Sequence, residues 1–195
     1  MNSNPKPRHK KQTALWLGRI FDLGKIVIIL AMVIYLVHLF ILSVFVVSGE
    51  SMEPNFHDRE YLMVNKIGYS IAQPQRGNVV VFKFPGELNE KYIKRIIGLP
   101  GETVEIKNDE VYVNNQKIIE SYIPREIKTA PLASQTKWTL KDKEYFVLGD
   151  NRDNSNDSRV WGALPKENLI GKIIYSLYPP SSMEEILKPS YYSSK

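Results

Sequence analysis

An uncharged apolar run at residues 26–47 constrains the fold of this chain more than any other feature. Its 22 residues read IVIILAMVIYLVHLFILSVFVV, and only Tyr35, His38 and Ser43 among them are polar. At about 1.5 Å per residue, a helix of this length covers about 33 Å, enough for the hydrocarbon core of a bilayer. A buried core helix is rarely apolar on every face, and the apolar region of a cleaved signal peptide is shorter. The run therefore predicts a single transmembrane helix.

The charges on either side of this run predict its orientation. Residues 1–25 carry six Lys or Arg and one Asp, whereas residues 48–60 carry four acidic residues and one Arg. Because Lys and Arg are enriched on the cytoplasmic side, we expect a basic cytoplasmic tail at 1–25 and an extracytoplasmic domain after the helix. The tail holds the whole net charge of +5, since the remainder contains 20 basic and 20 acidic residues. A lipid bilayer is thus an expected partner and nucleic acid is not.

Residues 48–188 contain short runs rich in β-branched and aromatic residues, which are typical of strands. These runs are EYLMVNKIGY, GNVVVFKF, YIKRIIGL, TVEIKNDEVYVNNQKII, WTLKDKEYFVLG and LIGKIIYSLY. We expect a mainly β fold, in which the N-terminal transmembrane helix precedes an antiparallel β-sheet domain. Residues 189–195 are expected to form a C-terminal tail.

The segment TVEIKNDEVYVNNQKII predicts two consecutive hairpins. Asn108-Asp109 and Asn114-Asn115 are its two-residue turns, because Asn and Asp tolerate positive φ. The polar residues 120–137 predict a long surface loop. We expect a smaller β cap at about 103–140, inserted in the larger domain.

The absence of Cys excludes a thiol nucleophile, a disulfide and a Cys-based metal site. The three histidines are His9, His38 and His57, and only His57 lies in the predicted β domain. A histidine metal site is therefore excluded, and we expect neither a metal nor a cofactor. A Ser-His-Asp triad stays open, although His57 suits it poorly because it is close in sequence to Ser51 and adjacent to Asp58. A hydroxyl or an amine remains for nucleophilic chemistry.

Ser51 and Lys94 are the candidate chemical groups. Ser51 lies in SGESMEP, where Gly49 permits a tight bend, and this segment taken alone favours an ordinary turn serine. Lys94 lies in YIKRIIGLPGE, an otherwise apolar strand. Burial would lower the pKa of the lysine, and a neutral amine can act as general base to a serine hydroxyl. The alternative is a surface lysine whose stem lies along apolar neighbours.

Residues 149–162, GDNRDNSNDSRVWG, concentrate charged and amide side chains in a turn-rich stretch. A calcium loop is disfavoured because Ser158 and Leu164 stand where an EF-hand needs Gly and Glu. An aspartic dyad would need a second Asp-containing motif, and only one is evident. We favour a structural loop in which Asp–Arg pairs fix the chain and a hydroxyl such as Ser155 orients a neighbouring amine.

Together these segments resemble type I signal peptidases, the membrane-bound serine endopeptidases that remove signal peptides from exported preproteins. SGESMEP resembles the nucleophile box, RGNVVVFKFP the core-strand box, YIKRIIGLPGE the lysine box and GDNRDNSNDSRVWG the last box. The boxes follow the family's order between residues 48 and 162, behind an N-terminal anchor. Each box alone is a weak signal, whereas their joint occurrence is specific.

The resemblance implies that Ser51 is the nucleophile and Lys94 the general base, with the Ser155 hydroxyl hydrogen-bonded to the lysine amine. It also implies that the backbone N–H of Ser51 stabilises the oxyanion, often with a serine hydroxyl two residues earlier. Gly49 stands at that earlier position here. The second oxyanion donor is therefore missing or comes from elsewhere.

The resemblance implies supporting and substrate-binding residues as well. Arg95 would hold the lysine box, and Asp157 and Arg159 would pair near it. Small residues would be required at positions −1 and −3 of the substrate, as in an A-x-A cleavage site. The residues expected to line these subsites are Phe45, Val47, Met52, Phe56, Tyr92 and Ile93.

The predicted function is cleavage of N-terminal signal peptides from exported preproteins by a membrane-bound Ser/Lys endopeptidase, with a functional link to the secretion machinery. One alternative is a membrane-tethered, non-catalytic β module that binds exported polypeptides. A serine–lysine autoprotease or a processing peptidase with few substrates is a third hypothesis.

Overall fold

The computed structural model describes residues 9–180 of the chain. The predicted C-terminal tail and residues 1–8 of the predicted basic tail lie outside this range. Three short stretches are described without their side chains: residues 9–17, 37–40 and 70–71.

The chain divides into two compact units, residues 1–41 and residues 42–195. Helix α1, His9–Phe40, makes up the described part of the first unit. Its described large apolar side chains are 44–68% exposed, from Ile20 to Leu36. The described residues include no helix that is both long enough and apolar enough to cross a membrane, so the predicted transmembrane helix is not confirmed.

Residues 42–46 were expected in the apolar helix but form strand β1, Leu42–Val46. This strand pairs antiparallel with β2, Tyr61–Asn65, with Val44 opposite Met63. Val and Phe suit a strand as well as a helix, so the composition of the run could not reveal where the helix ends. The partner strand lies elsewhere in the sequence, and only this pairing decides the conformation.

The second unit is mainly β, as predicted, and all of its strand pairs are antiparallel. Its larger sheet has seven strands in the order β1-β2-β11-β3-β4-β9-β10. The remaining strands of this sheet are β3 Val79–Phe84, β4 Glu87–Gly98, β9 Glu144–Leu148, β10 Leu164–Pro165 and β11 Leu169–Tyr178. Short helical segments lie between the strands: α2 Gly68–Ile71, α3 Ser158–Trp161 and the 3₁₀ turn Lys166–Asn168.

A second, four-stranded sheet has the order β7-β6-β5-β8. Its strands are β5 Thr103–Lys107, β6 Glu110–Val113, β7 Gln116–Lys117 and β8 Lys137–Thr139. Both predicted two-residue turns are confirmed, because the four residues at 108–109 and 114–115 have φ between 51° and 65°. Residues 118–136 join β7 to β8 without a helix or strand.

Strand β3 is buried on both faces, which explains its continuous apolar sequence VVVF. Val79 and Val81 pack with Met52 and Phe56 in one core cluster. Val80 and Phe82 point to the opposite face and pack in a second cluster. A third cluster, which includes Trp138 and Phe146, joins strands of the two sheets. The central strand β3 is therefore packed on both faces, and β4 pairs with it along one edge.

Candidate active site

A cleft of about 740 Å³ opens in the second unit. Three parts of the chain meet there: the end of β1 with the turn after it, the middle of β4, and the loop that precedes α3. The Lys91 ammonium on β4 lies 5.6 Å from the ring centre of Phe45 on β1, so the two strands approach each other here. The lining residues are Val46, Val47, Ser48, Gly49, Glu50, Ser51, Met52, Asp58, Glu90, Lys91, Tyr92, Ile93, Lys94, Asn154 and Asn156.

Ser51 and Lys94 meet in this cleft although 43 residues separate them in sequence. Lys94 Nζ donates to Ser51 Oγ at 2.7 Å and to the backbone oxygen of Ile93 at 3.0 Å. The first distance is within the range required for direct proton transfer between a base and a nucleophile. The two candidate groups from the sequence are therefore in direct contact.

Burial changes the acid–base behaviour of Lys94. The side chain is only 4% exposed, and this desolvation lowers the pKa of the lysine from 10.5 to about 8. The buried carboxylates of Asp157 and Asp150 partly oppose the shift because they favour the ammonium, whereas the Arg159 guanidinium adds to it. The alternative of a snorkelling surface lysine is thus excluded, since the ammonium itself is buried.

The turn after β1 presents Ser51. Gly49 has φ +95°, a conformation that favours glycine, and its N–H donates to Asp58 Oδ1 at 2.8 Å. The N–H of Glu53 donates to Glu50 O, and those of Asn55 and Phe56 donate to Met52 O. These bonds close a compact turn around the serine. The predicted bend at Gly49 is present, and its N–H is engaged by the neighbouring carboxylate.

Arg95 and Asp150 form a buried, bidentate ion pair behind the cleft. Arg95 Nε donates to Asp150 Oδ1 at 2.8 Å, and Nη2 donates to Oδ2 at 2.6 Å. Arg95 Nη1 also donates to the backbone oxygen of Gly77, and the guanidinium lies 4.1 Å from the ring centre of Tyr122. The residue next to Lys94 is therefore fixed to the loop at 149–162 and to a neighbouring turn.

A second bidentate pair joins Asp157 and Arg159, both buried. Arg159 Nε donates to Asp157 Oδ1 and Nη2 to Oδ2, each at 2.8 Å. Asp157 also caps α3 through the N–H of Arg159 and accepts the N–H of Gly149 at 3.1 Å. This carboxylate thereby orders the loop whose start lies against Ser51, since the N–H of Asn151 donates to Ser51 O at 3.2 Å.

Gly149 is required by the close approach of two segments. A Cβ at this position would lie 2.5 Å from the Ser51 carbonyl oxygen and would also collide with Ser155 Oγ. No side chain fits between the nucleophile turn and this loop. The glycine therefore lets the loop lie directly against the backbone of Ser51.

The expected hydrogen bond from Ser155 to the Lys94 amine is not formed. Ser155 Oγ is buried and has no hydrogen-bond partner among the described residues. Lys94 Nζ is instead bonded to Ser51 Oγ and the Ile93 carbonyl, and Ser155 packs against Gly149. The sequence suggested that the Ser155 hydroxyl lies near the Lys94 amine, but it could not indicate which groups that amine contacts.

The six expected subsite residues divide into two groups. Val47, Met52, Tyr92 and Ile93 line the cleft. Phe56 is 1% exposed and belongs to the core beneath the cleft, and Phe45 packs against the same core. Apart from Gly49, Ser51 and Lys94, the other lining residues are mainly polar and were not singled out from the sequence, because strand register and loop approach decide which side chains face the cleft.

The histidine and metal alternatives find no support in the geometry. The His57 side chain is 60% exposed, and its Nδ1 lies 3.9 Å from Glu60 Oε2 rather than beside Ser51. Within the described residues, no group of three or more His, Cys, Asp or Glu side chains is arranged to hold a metal ion. In the loop at 149–162, Asp150 and Asp157 bind arginine side chains instead.

Arg152 connects this loop to residues 118–136, a link that the sequence did not indicate. Its guanidinium donates to both oxygens of Glu120, to Thr129 Oγ1 and to Tyr122 Oη. Arg152 Nε donates to the backbone oxygen of Gly149 at 3.1 Å. Glu120 and Tyr122 lie in a polar loop with no periodicity, so no pattern marked them as part of the site.

Comparison with known proteins identifies the family. The family model described as signal peptidase, peptidase S26, matches residues 20–178. Signal peptidase I of Bacillus amyloliquefaciens is 40% identical over 189 residues, which cover 92% of this chain and 96% of that protein. The chain belongs to the type I signal peptidase family. Signal peptidase IB of Staphylococcus aureus is 35% identical over 171 residues, covering 80% and 88% of the two chains.

A crystal structure of a signal peptidase I from Enterococcus faecalis is 32% identical and has a TM-score of 0.44, covering 52% of this chain and 97% of that chain. Family membership confirms the resemblance found in the four boxes. As a member of this family, the protein is a serine endopeptidase and therefore a hydrolase. Membership also implies that its substrates are preproteins that carry signal peptides. The alternative of a non-catalytic β module is accordingly not retained.

Proposed function

We propose that Ser51 and Lys94 form the catalytic pair with which this enzyme cleaves signal peptides from exported preproteins. The observation that carries the proposal is the 2.7 Å contact between Lys94 Nζ and Ser51 Oγ inside an open cleft. The lowered pKa of Lys94, about 8, supports it because a base must be neutral before it can accept a proton. Neither a metal nor a cofactor takes part in this mechanism.

In the proposed reaction, the neutral Lys94 amine removes the Ser51 hydroxyl proton while Oγ attacks the scissile carbonyl carbon. The tetrahedral intermediate collapses to an acyl-enzyme, and the Lys94 ammonium returns its proton to the leaving amine of the mature N-terminus. The amine then activates a water, which hydrolyses the ester and frees Ser51. One residue thus serves as base and acid in turn.

We propose that the oxyanion accepts a hydrogen bond from the backbone N–H of Ser51. A donor of this kind contributes about 3 kcal/mol to transition-state stabilisation. The N–H of Gly49 already donates to Asp58 Oδ1. A second donor would therefore come from another group or from a shift in this contact when substrate binds.

An extended substrate can pair with β4 at the cleft. Residues 92–94 pair with β3 on one side, whereas the pairing of β4 with β9 begins only at Arg95. Among the described strands, the second edge of residues 92–94 is therefore without a partner and borders the cleft. Backbone pairing along such an edge provides affinity that is independent of substrate sequence.

We expect discrimination at position −1 of the substrate. Val47 and Met52 are 5% and 1% exposed, so the apolar wall beside Ser51 is already packed and offers a shallow subsite. Replacing Ala by Leu at −1 of a preprotein should lower kcat/KM about 10- to 100-fold, the range expected from overpacking. Rates of cleavage by purified protein in detergent measure this effect.

Leu at position −2 is the matched control, because successive side chains of an extended chain point to opposite faces. It should leave kcat/KM nearly unchanged. Equal cleavage of the −1 Ala and −1 Leu preproteins would reject the proposed subsite. Cleavage at a different bond would reject the proposed substrate alignment.

We also propose that α1 attaches the enzyme to the cell membrane, with residues 1–25 in the cytoplasm and the second unit outside, near the secretion machinery. The support is the uncharged sequence of residues 26–40 and the exposure of its described apolar side chains, such as Ile28 at 67% and Ile34 at 61%. Apolar surface of this extent favours a lipid environment over water.

The full-length chain should stay in the pellet when membranes are washed with alkaline carbonate. The full-length double variant Ile28→Lys and Ile34→Lys should be extracted to a much greater degree, because two buried charges oppose insertion. Recovery of the unsubstituted chain in the wash would reject membrane attachment. Protease protection of the second unit from outside intact cells would reject the proposed orientation.

A further inference from the structure

Asn55 lies four residues after Ser51, in the turn that presents the nucleophile. Backbone N–H groups of Asn55 and Phe56 donate to Met52 O at 3.1 and 3.0 Å. The side chain of Asn55 is partly buried and does not line the cleft. The hydrogen-bonded turn from Met52 to Phe56 therefore connects the Asn55 side chain to the backbone of Ser51.

The Asn55 amide joins three separate segments. Its Nδ2 donates to Asp150 Oδ2 and to the backbone oxygen of Tyr122, each at 2.8 Å. A primary amide nitrogen carries two hydrogens, so both bonds form at the same time. A serine in this position would supply one donor, and an alanine or ionised aspartate would supply none.

Asp150 links this turn to the strand of the base. Its buried carboxylate accepts two hydrogen bonds from Arg95, the residue after Lys94, and one from Asn55. Oδ2 accepts both Arg95 Nη2 and Asn55 Nδ2, so a single atom joins the two segments. Asn55, Asp150 and Arg95 thus link the turn that carries Ser51 to the strand that carries Lys94.

We propose that Asn55 is a positioning residue that holds the Ser51 turn against Asp150 and so maintains the contact between Ser51 Oγ and Lys94 Nζ. The inference rests on the proposed catalytic pair and extends it to a side chain that touches neither member. Asn55 acts through the backbone of its turn and through the carboxylate that also binds Arg95.

Replacing Asn55 by Ala should lower kcat about 10- to 100-fold, the range expected when reacting atoms are displaced by about 1 Å. KM for the preprotein should change by less than about two-fold, because the cleft itself is kept. The midpoint of the pH profile of kcat/KM should move upward, since a loosened turn admits water to Lys94. Steady-state kinetics over pH 6 to 10 measure all three quantities.

Two further substitutions separate hydrogen bonding from packing. Asn55→Asp keeps the shape but faces Asp150 with a like charge, so its kcat should be at least as low as that of Asn55→Ala. Asn55→Ser retains one donor and should recover part of the activity. If Asn55→Ala does not fold, Asn55→Ser provides the test instead. A folded Asn55→Ser variant with reduced kcat supports the positioning role, whereas a folded variant with unchanged kcat overturns it.

Asn168→Ala is the matched control, because Asn168 Nδ2 also donates to a backbone oxygen, that of Lys83, at 2.9 Å, and does not line the cleft. It should lower the melting temperature without altering kcat or the pH midpoint. The proposal is overturned if Asn55→Ala keeps wild-type kcat, or if Asn168→Ala reproduces its kinetic defect. Ser51→Ala in the same assay separates the two hypotheses, since cleavage by that variant would reject the catalytic pair itself.

Discussion

Substitution of Ser51 or Lys94 by Ala is expected to lower kcat for preprotein cleavage by about 10⁴-fold. Ser51→Ala removes the oxygen that would bond to the substrate carbonyl. Lys94→Ala removes the amine that lies 2.7 Å from that oxygen, and no other described lysine lines the cleft within hydrogen-bond distance of it. Cleavage of a preprotein by each purified variant, followed on gels and by mass spectrometry, measures the loss.

Ser48→Ala and Lys91→Ala are matched controls, because both residues line the same cleft without taking part in the Ser51–Lys94 contact. Each should change kcat by no more than about three-fold. Melting temperatures of all four variants establish that they are folded. Wild-type cleavage by Ser51→Ala would reject the serine as nucleophile, and wild-type cleavage by Lys94→Ala would reject the lysine as base.

The rate of cleavage should rise with pH through about 8, because Lys94, the proposed base, can accept a proton only after it has lost its own. A single base with this pKa is about 1% neutral at pH 6, so kcat/KM should increase about 100-fold from pH 6 to pH 9. The direction follows from desolvation, which disfavours the ammonium and lowers the pKa of Lys94 from 10.5. Initial rates at low substrate concentration measure the profile.

A midpoint near 6.5 would instead indicate a histidine as the base. The His57→Ala variant tests this directly, since the proposed mechanism predicts an unchanged profile for it. A midpoint near 10.5 would show that Lys94 is solvated in the working enzyme. Circular dichroism across the same pH range separates a change in ionisation of the base from a loss of fold.

Three buried arginines form ion pairs around the candidate site. Arg95, Arg152 and Arg159 are 1–3% exposed, and each is bonded to a carboxylate: Asp150, Glu120 and Asp157, respectively. Breaking a buried pair by removal of one partner costs about 3–5 kcal/mol, because the other charge stays buried without compensation. These pairs therefore stabilise one arrangement of the loop around Lys94.

Local patterns in the sequence were sufficient for the strands and the hairpins. Short runs rich in β-branched and aromatic residues indicated most of the antiparallel sheet, and Asn-Asp and Asn-Asn indicated the two turns between β5, β6 and β7. Strand composition and turn dipeptides each depend on only a few neighbouring residues, so both can be recognised from the sequence alone. The end of α1 was missed because LSVFV suits helix and strand equally, and only pairing with β2 makes it a strand.

The sequence by itself determined the family, the strand content and the candidates Ser51 and Lys94, because these depend on residue type and short spacing. Only the tertiary structure decided that their side chains touch, that Lys94 is desolvated, and that Ser155 does not reach the amine. It alone also revealed Asn55, Glu120 and Tyr122. Contacts between residues 30 to 95 positions apart arise from sheet register and loop packing, which no local pattern encodes.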